Sequence, residues 1–195
     1  MEQNNVENCV LSDIASIVMG QSPPGDTYND QQYGTLFYQG RAEFGSFFPT
    51  PKLYTTSPKR MAKQGDILMS VRAPVGDINM ALDDCCIGRG LAAIRSKEGC
   101  QGFLHYLVES LKSEFDVYDG AGTVFGSINK DSLNDLKISI PQRTEIIERS
   151  SIIDCIDDVI RTNHLENNVL CKIRDTILSK LMSGEIDISN LDLGN

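Results

Sequence analysis

Adjacent Cys85 and Cys86, with His105 further along, are the residues of this chain whose types could support covalent chemistry. A thiolate nucleophile needs a base within hydrogen-bond reach, and one Cys paired with one His carries no spacing that demands the pairing. The six cysteines (Cys9, Cys85, Cys86, Cys100, Cys155, Cys171) form no C-x-x-C pair, and with only two histidines they make no zinc-ligand set. On a strand, Cys85 and Cys86 point to opposite faces, which argues further against a shared metal. The six read as reduced, mostly packed thiols, and Asp83-Asp84 reads as a turn. The glycine-rich segments Gly20-Gln21-Ser22-Pro23-Pro24-Gly25 and Gly88-Arg89-Gly90 lack the Lys-Ser/Thr ending of a phosphate-binding loop and the strand–helix setting of a dinucleotide fingerprint. No catalytic constellation results. What paired glycines do supply is a backbone that bends sharply and holds a side chain outward, Arg89 above all.

The elements that position these residues divide at Pro141. From Gln142 to Ser183 there is no Pro or Gly, whereas residues 1–141 hold all seven Pro and 14 of the 16 Gly. That contrast predicts a turn-rich head over 1–141, a long helix over 142–183 ended by Gly184, and a short tail over 184–195. Within the head, Leu36 to Gln39, Ile67 to Arg72, Cys85 to Ile87, Leu91 to Ile94 and Leu136 to Ile140 read as strands bounded by turns. Phe103, Leu104, Leu107, Val108 and Leu111 recur at helical spacing, and Asn129 can cap a second short helix. Phe44, Phe47 and Phe48, set among Gly45, Pro49 and Pro51, read as local core beneath a loop. Strands outnumber helices, so the head is α+β with a mixed sheet.

The helix carries its own demand. At 1.5 Å per residue it would be a rod of roughly 60 Å. One seam runs Ile146, Arg149, Ile153, Ile156, Ile160, Asn163, Asn167, Leu170, Arg174, Ile177, Leu181, a heptad pattern apolar at both ends and polar in the middle. A second apolar face comprises Ile147, Ile152, Val159, Val169 and Ile173. Pairing with a second copy covers the seam most economically: an antiparallel coiled coil about a two-fold axis near Asn163.

Composition sets limits. The net charge of −9 argues against nucleic-acid binding, yet Arg41 to Arg95 holds eight basic residues against five acidic ones. No 18-residue apolar run and no charged-then-apolar leader occur, so the expectation is a cytoplasmic protein without membrane contact.

Gly20-Gln21-Ser22-Pro23-Pro24-Gly25, Tyr38-Gln39-Gly40, Gly65-Asp66-Ile67-Leu68-Met69-Ser70-Val71-Arg72-Ala73-Pro74-Val75-Gly76 and Cys85-Cys86-Ile87-Gly88-Arg89-Gly90-Leu91-Ala92-Ala93-Ile94 follow one another here. In that order and spacing they resemble the specificity subunits of type I restriction–modification systems. The resemblance continues through Gly122-Thr123-Val124-Phe125, Ile128-Asn129-Lys130 and Ile140-Pro141 into the helix ending at Leu178 to Ile186. One departure is that the family commonly has a Gln soon after the Pro that opens the helix, where this chain puts Ile146.

The resemblance implies a half-subunit: one target recognition domain and one conserved helix, where the full-length subunits have two of each. It further implies a non-catalytic DNA-recognition subunit. Adenine-N6 methyltransferase and site-specific deoxyribonuclease activities, with S-adenosylmethionine, ATP and magnesium, would belong to partner methyltransferase and restriction subunits, and this chain would hold no cofactor. Two copies related by a two-fold axis would read a split palindrome on double-stranded DNA. For DNA contact Arg72 and Arg89 lead, each on a turn and each able to fork onto guanine or phosphate. Gln21, Ser22, Gln39 and Arg41 come next, then Thr123 and Lys130. Arg72 has a rival role, bracing the sheet through Asp66 or Asp77. For dimerisation the candidates are Ile146, Ile153, Ile156, Ile160, Asn163, Asn167, Leu170, Ile177 and Leu181. The competing reading is an acidic interaction module that docks on methyltransferase subunits without reading DNA.

Overall fold

The computed structural model describes residues 6–119 and 126–186. In chain order it contains β1 (Glu7–Val10), α1 (Leu11–Ile14), β2 (Ala15–Met19), β3 (Tyr28–Asn29), β4 (Thr35–Tyr38), β5 (Leu53–Thr55), β6 (Met61–Ala62) and β7 (Ile67–Ser70). There follow β8 (Ile78–Met80), β9 (Cys85–Ile87), β10 (Leu91–Ser96), α2 (Gln101–Ser110), α3 (Lys112–Phe115), α4 (Lys130–Asn134), β11 (Lys137–Ile140) and α5 (Arg143–Met182). The architecture is α+β with a long C-terminal helix. The strands sort into three sheets, ordered β1-β11, β2-β10-β7-β8 and β3-β5-β4-β9-β6. The parallel pairing among the described residues is that of β4 with β9, Phe37 opposite Cys86 and Tyr38 opposite Ile87.

The four- and five-stranded sheets share a core. Leu68 of β7 and Leu91 and Ala93 of β10 meet Tyr38 of β4, Ala62 of β6, and Cys85 and Ile87 of β9, with Leu36 and Phe44 packed against the cluster. Alternation along β10 turns Ala92 and Ile94 to the opposite face, and all four residues Leu91 to Ile94 are buried. Burying each such Leu or Ile is worth roughly 1.5–3 kcal/mol, enough for these short strands to hold without long ladders. Gln101 ties α2 back to β10: its Oε1 accepts from the Ser96 amide at 2.8 Å and its Nε2 donates to the Ile94 carbonyl at 3.2 Å. Asn129 caps α4, its Oδ1 accepting from the Ser132 amide at 2.8 Å.

The chain divides into two compact units, Met1–Asp154 and Cys155–Asn195. Helix α5 begins inside the first. Ile146, expected in a dimer seam, is instead buried in a cleft with Ile14, Cys100, Phe103 and Leu104. The Gly102 amide donates to Asp154 Oδ1 at 3.0 Å, and Arg143 pairs with Glu98 at 3.0 Å. The apolar side chain at 146 thus secures the helix start. Of the remaining seam candidates, Ile156, Asn163, Asn167, Leu170 and Ile177 are exposed, while Ile153, Ile160 and Leu181 are half-buried.

The helix stops as its sequence demands. Gly184 takes a φ of +73° and donates its amide to the Leu181 carbonyl at 3.2 Å, while the Glu185 amide reaches back to Lys180 at 3.0 Å. All six cysteines are free. Packing holds for Cys85, Cys86 and Cys100, but Cys155 and Cys171 are exposed on α5, contrary to the expectation of mostly packed thiols. No helix among the described residues is long and apolar enough to cross a membrane.

Candidate nucleic-acid interface

Three glycines bring the loop candidates together. The chain leaving β2 donates two amides to the β9–β10 turn, Gly20 to the Leu91 carbonyl and Gln21 to the Ile87 carbonyl, both at 2.9 Å. The same turn donates the Gly88 amide to Tyr38 at 2.8 Å and accepts the Val71 amide on Gly90 at 3.0 Å. Main chain therefore lies directly on main chain. A Cβ at Gly20 would sit 2.1 Å from the Gly88 carbonyl oxygen, and one at Gly88 or Gly90 would sit 2.7 or 2.9 Å from that of Gln39. Close approach, rather than an unusual φ, is what requires glycine at these positions.

This fastening leaves side chains outside it. Gln21, Gln39 and Arg89 are exposed around the node, and Ser22 is half-buried with its Oγ accepting from the Arg89 amide at 3.2 Å. Arg72 follows Val71, which is tied to Gly90, and Arg72 itself bridges antiparallel to Ser127. Neither Arg72 nor Arg89 forms an ion pair among the described residues.

The rival bracing role for Arg72 is taken by other cations. Asp66 is bound by Arg95, and Asp77 by Arg41 and Lys112. Arg41 is therefore committed to Asp77, in a cavity of about 490 Å³ whose lining includes Phe44, Asp77, Asn79, Glu109 and Lys112. Burial pushes the Asp77 carboxyl up, but hydrogen bonds and charge from Lys112 and Arg41 outweigh it and hold the group below the usual carboxylate range. Lys130 is exposed on the first turn of α4, and Thr123 lies outside the described residues. Sequence reading missed the Arg41–Asp77–Lys112 cluster, because no spacing signals contacts among residues 41, 77 and 112.

The reactive-thiol alternative finds no support in the geometry. Burial first, then the nearby carboxylates and Cys86, push the Cys85 thiol up to about 12, the reverse of an activated nucleophile. His105 packs edge-on against Phe47 and Tyr106. No group of three or more His, Cys, Asp or Glu among the described residues could hold a metal ion.

The glycine-locked node thus presents Gln21, Gln39 and Arg89 on one surface. Residues 3–174 match the family described as the type I restriction modification DNA specificity domain. The chain belongs to that family. It is 41% identical over 174 residues to a candidate type I restriction enzyme MjaX specificity subunit of Methanocaldococcus jannaschii, covering 88% of this chain and 41% of that one. It is 33% identical to the HsdS subunit from Thermoanaerobacter tengcongensis, whose crystal structure superposes with a TM-score of 0.66 over 94% of this chain and 46% of that one. A chain from a structure of the type I R-M system gives 34% identity and a TM-score of 0.68, covering 91% of this chain and 46% of the other. The type I restriction-modification system S subunit from M. genitalium shares the fold at 14% identity, with a TM-score of 0.69 over 94% of this chain and 47% of that one. This specificity domain therefore spans under half the length of each of the first three relatives.

Proposed function

We propose that this chain is a sequence-specific DNA-recognition subunit of a type I restriction–modification complex, working in the cytoplasm. The observation that carries the reading is the glycine node: it fixes Gln21, Ser22, Gln39 and Arg89 on one rigid frame with Arg72 beside it, and it leaves both arginines without a carboxylate partner among the described residues. Two forked guanidiniums and two carboxamides are the side chains suited to guanine, adenine and phosphate. The chain itself performs no chemistry. Adenine methylation and cleavage, with S-adenosylmethionine, ATP and magnesium, fall to the methyltransferase and restriction subunits. Their phosphate contacts offset the −9 charge of this chain.

The helix supplies the second half of the target. The seam shifts from the sequence-derived line through Ile153, Ile160, Asn167 and Leu181, of which only Asn167 is exposed, to a neighbouring stripe. Ile152, Ile156, Val159, Asn163, Glu166, Leu170, Ile173 and Ile177 succeed one another at alternating spacings of four and three along α5, and every one is exposed. The stripe has mirror symmetry: three apolar residues, two polar, three apolar. Antiparallel coiled coils place an a position opposite a d position. A second copy laid antiparallel with its two-fold axis between His164 and Leu165 therefore meets Ile152 with Ile177, Ile156 with Ile173, Val159 with Leu170, and Asn163 with Glu166. Every apolar layer then faces an apolar layer. The two heads would read inverted half-sites, with the paired helices setting the spacer.

A salt-titrated selection from a random duplex library, with and without a methyltransferase subunit, tests this reading. Enrichment of a split palindrome is expected, and enrichment of nothing in either condition overturns it in favour of the interaction module.

A further inference from the structure

Seven residues beyond Ser22 the chain builds a second small structure that the node does not account for. Asn29 closes a turn on Tyr33 with both ends of its carboxamide: Nδ2 donates to the Tyr33 carbonyl at 2.8 Å, and Oδ1 accepts from the Tyr33 amide at 3.0 Å. Inside the turn Gln32 sits at a φ of +61°, the one non-glycine residue with positive φ among the described residues. That conformation is unfavourable for a residue with a Cβ and persists where the surroundings fix it. They do so here from both sides. Gly34, at a φ of +91°, crosses so close over β5 that a Cβ would sit 2.4 Å from the Thr55 carbonyl oxygen. On the other side Tyr28 Oη donates to the Pro23 carbonyl at 2.9 Å, and Thr27 Oγ1 donates to that of Pro24 at 2.7 Å.

The rigid turn makes no use of the side chains it displays. Asp30, Gln31 and Gln32 are exposed, and none has a side-chain hydrogen bond or ion pair among the described residues. Tyr33 is 72% exposed. A strained, braced tip with two free carboxamides and a bare aromatic ring lacks the apolar area for a stable protein interface, and its one charge, Asp30, suits neither phosphate nor an acidic surface. A carboxamide offers one donor and one acceptor side by side, the match for N6 and N7 of adenine in the major groove. Nine residues separate Ser22 from Gln31, a span of at most about 30 Å, so node and tip fall within one turn of duplex.

We propose that the Asn29–Tyr33 turn is a second base-reading element, in which Gln31 and Gln32 select adenine at positions of the half-site other than those contacted by the glycine node. This rests on the DNA-recognition reading and extends it to residues outside the motifs that carry the family resemblance. Rigidity is the reason for the strain: a fixed tip loses little freedom on binding.

The test is duplex selection with the full-length chain, comparing wild type with Gln31→Ala and Gln32→Asn. Asn tolerates the left-handed conformation and shortens the carboxamide by one methylene, so the turn is retained. The expected result is an unchanged preference at most positions and a loss of adenine preference, about tenfold, at one or two. Identical selected sites for all three proteins would overturn the proposal, as would a uniform loss across sequences, which marks backbone contact. Variants that keep the wild-type site but lose binding to a methyltransferase subunit would reassign the tip to protein contact. A wild-type chain that enriches no site removes the DNA-recognition reading itself, an outcome distinct from all of these.

Discussion

The Asp66 carboxylate accepts from both Nε and Nη2 of Arg95, at 2.6 and 2.7 Å, and its Oδ2 also accepts from the Lys63 amide at 2.8 Å. Asp66 is buried at 4% exposure, so the pair fastens the turn before β7 to the C-terminal end of β10. It also leaves Arg72 without that carboxylate.

The two arginines should therefore separate in a denaturant titration. Arg95→Ala leaves a buried carboxylate without its cation and should cost about 1–3 kcal/mol, below the full value for a deeply buried pair because Arg95 is half-exposed. Arg72→Ala should change stability by less than about 0.5 kcal/mol.

Arg89→Ala isolates recognition from folding. Affinity for the selected duplex should fall by about 1–3 kcal/mol with relaxed preference at one base pair, while the thermal midpoint stays within a degree or two. A collapse of the midpoint instead would make Arg89 a structural residue.

Glycines in and out of the node should respond oppositely. Gly88→Ala pushes a methyl group to 2.7 Å from the Gln39 carbonyl oxygen and should destabilise by roughly 2–4 kcal/mol or prevent folding. Gly25→Ala meets nothing within 4 Å and should be neutral or stabilising by about 0.4–1 kcal/mol. Chemical unfolding of the two variants beside wild type reads both.

The Asp77 carboxyl, held low by Lys112 and Arg41, contributes stability that is present above the ordinary carboxylate range and is lost as pH falls through its lowered value. Asp77→Asn should be less stable than wild type at pH 7, and the difference should shrink on acidification below about pH 4. Thermal melts from pH 7 to pH 2 measure the convergence.

The proposed helix pairing has its own signature. Glu166→Leu replaces a polar layer and should tighten the dimer, whereas Ile156→Asp should dissociate it, both read by light scattering against concentration. Asn163→Leu should likewise tighten it while loosening register, visible as several cross-linked products in place of one.

Much of this fold was legible. An uninterrupted run without Gly or Pro announced α5, and Gly184 closes it by the expected left-handed cap. Turn-bounded apolar runs marked β4, β7, β9 and β10, and Asn129 caps α4 as its position suggested. Other features depend on chain distance, which periodicity does not encode. The parallel contact of β4 with β9 joins residues 37 and 86, and the division into separate sheets follows from such pairings. Ile146 looked like a seam residue because heptad spacing records which helix face is apolar and says nothing of what covers it. Within the site, the glycines pointed to Gln21, Gln39 and Arg89. The Asn29 turn stayed hidden, because its lock is a side-chain amide and its strained residue is a Gln.

The node is fastened peptide to peptide, and no side chain of Gln21, Gln39 or Arg89 takes part in the fastening. A lineage could therefore exchange those three residues freely and keep the same scaffold. On the proposed reading, new addresses on DNA would arise by point substitution, without any need to rebuild the reader.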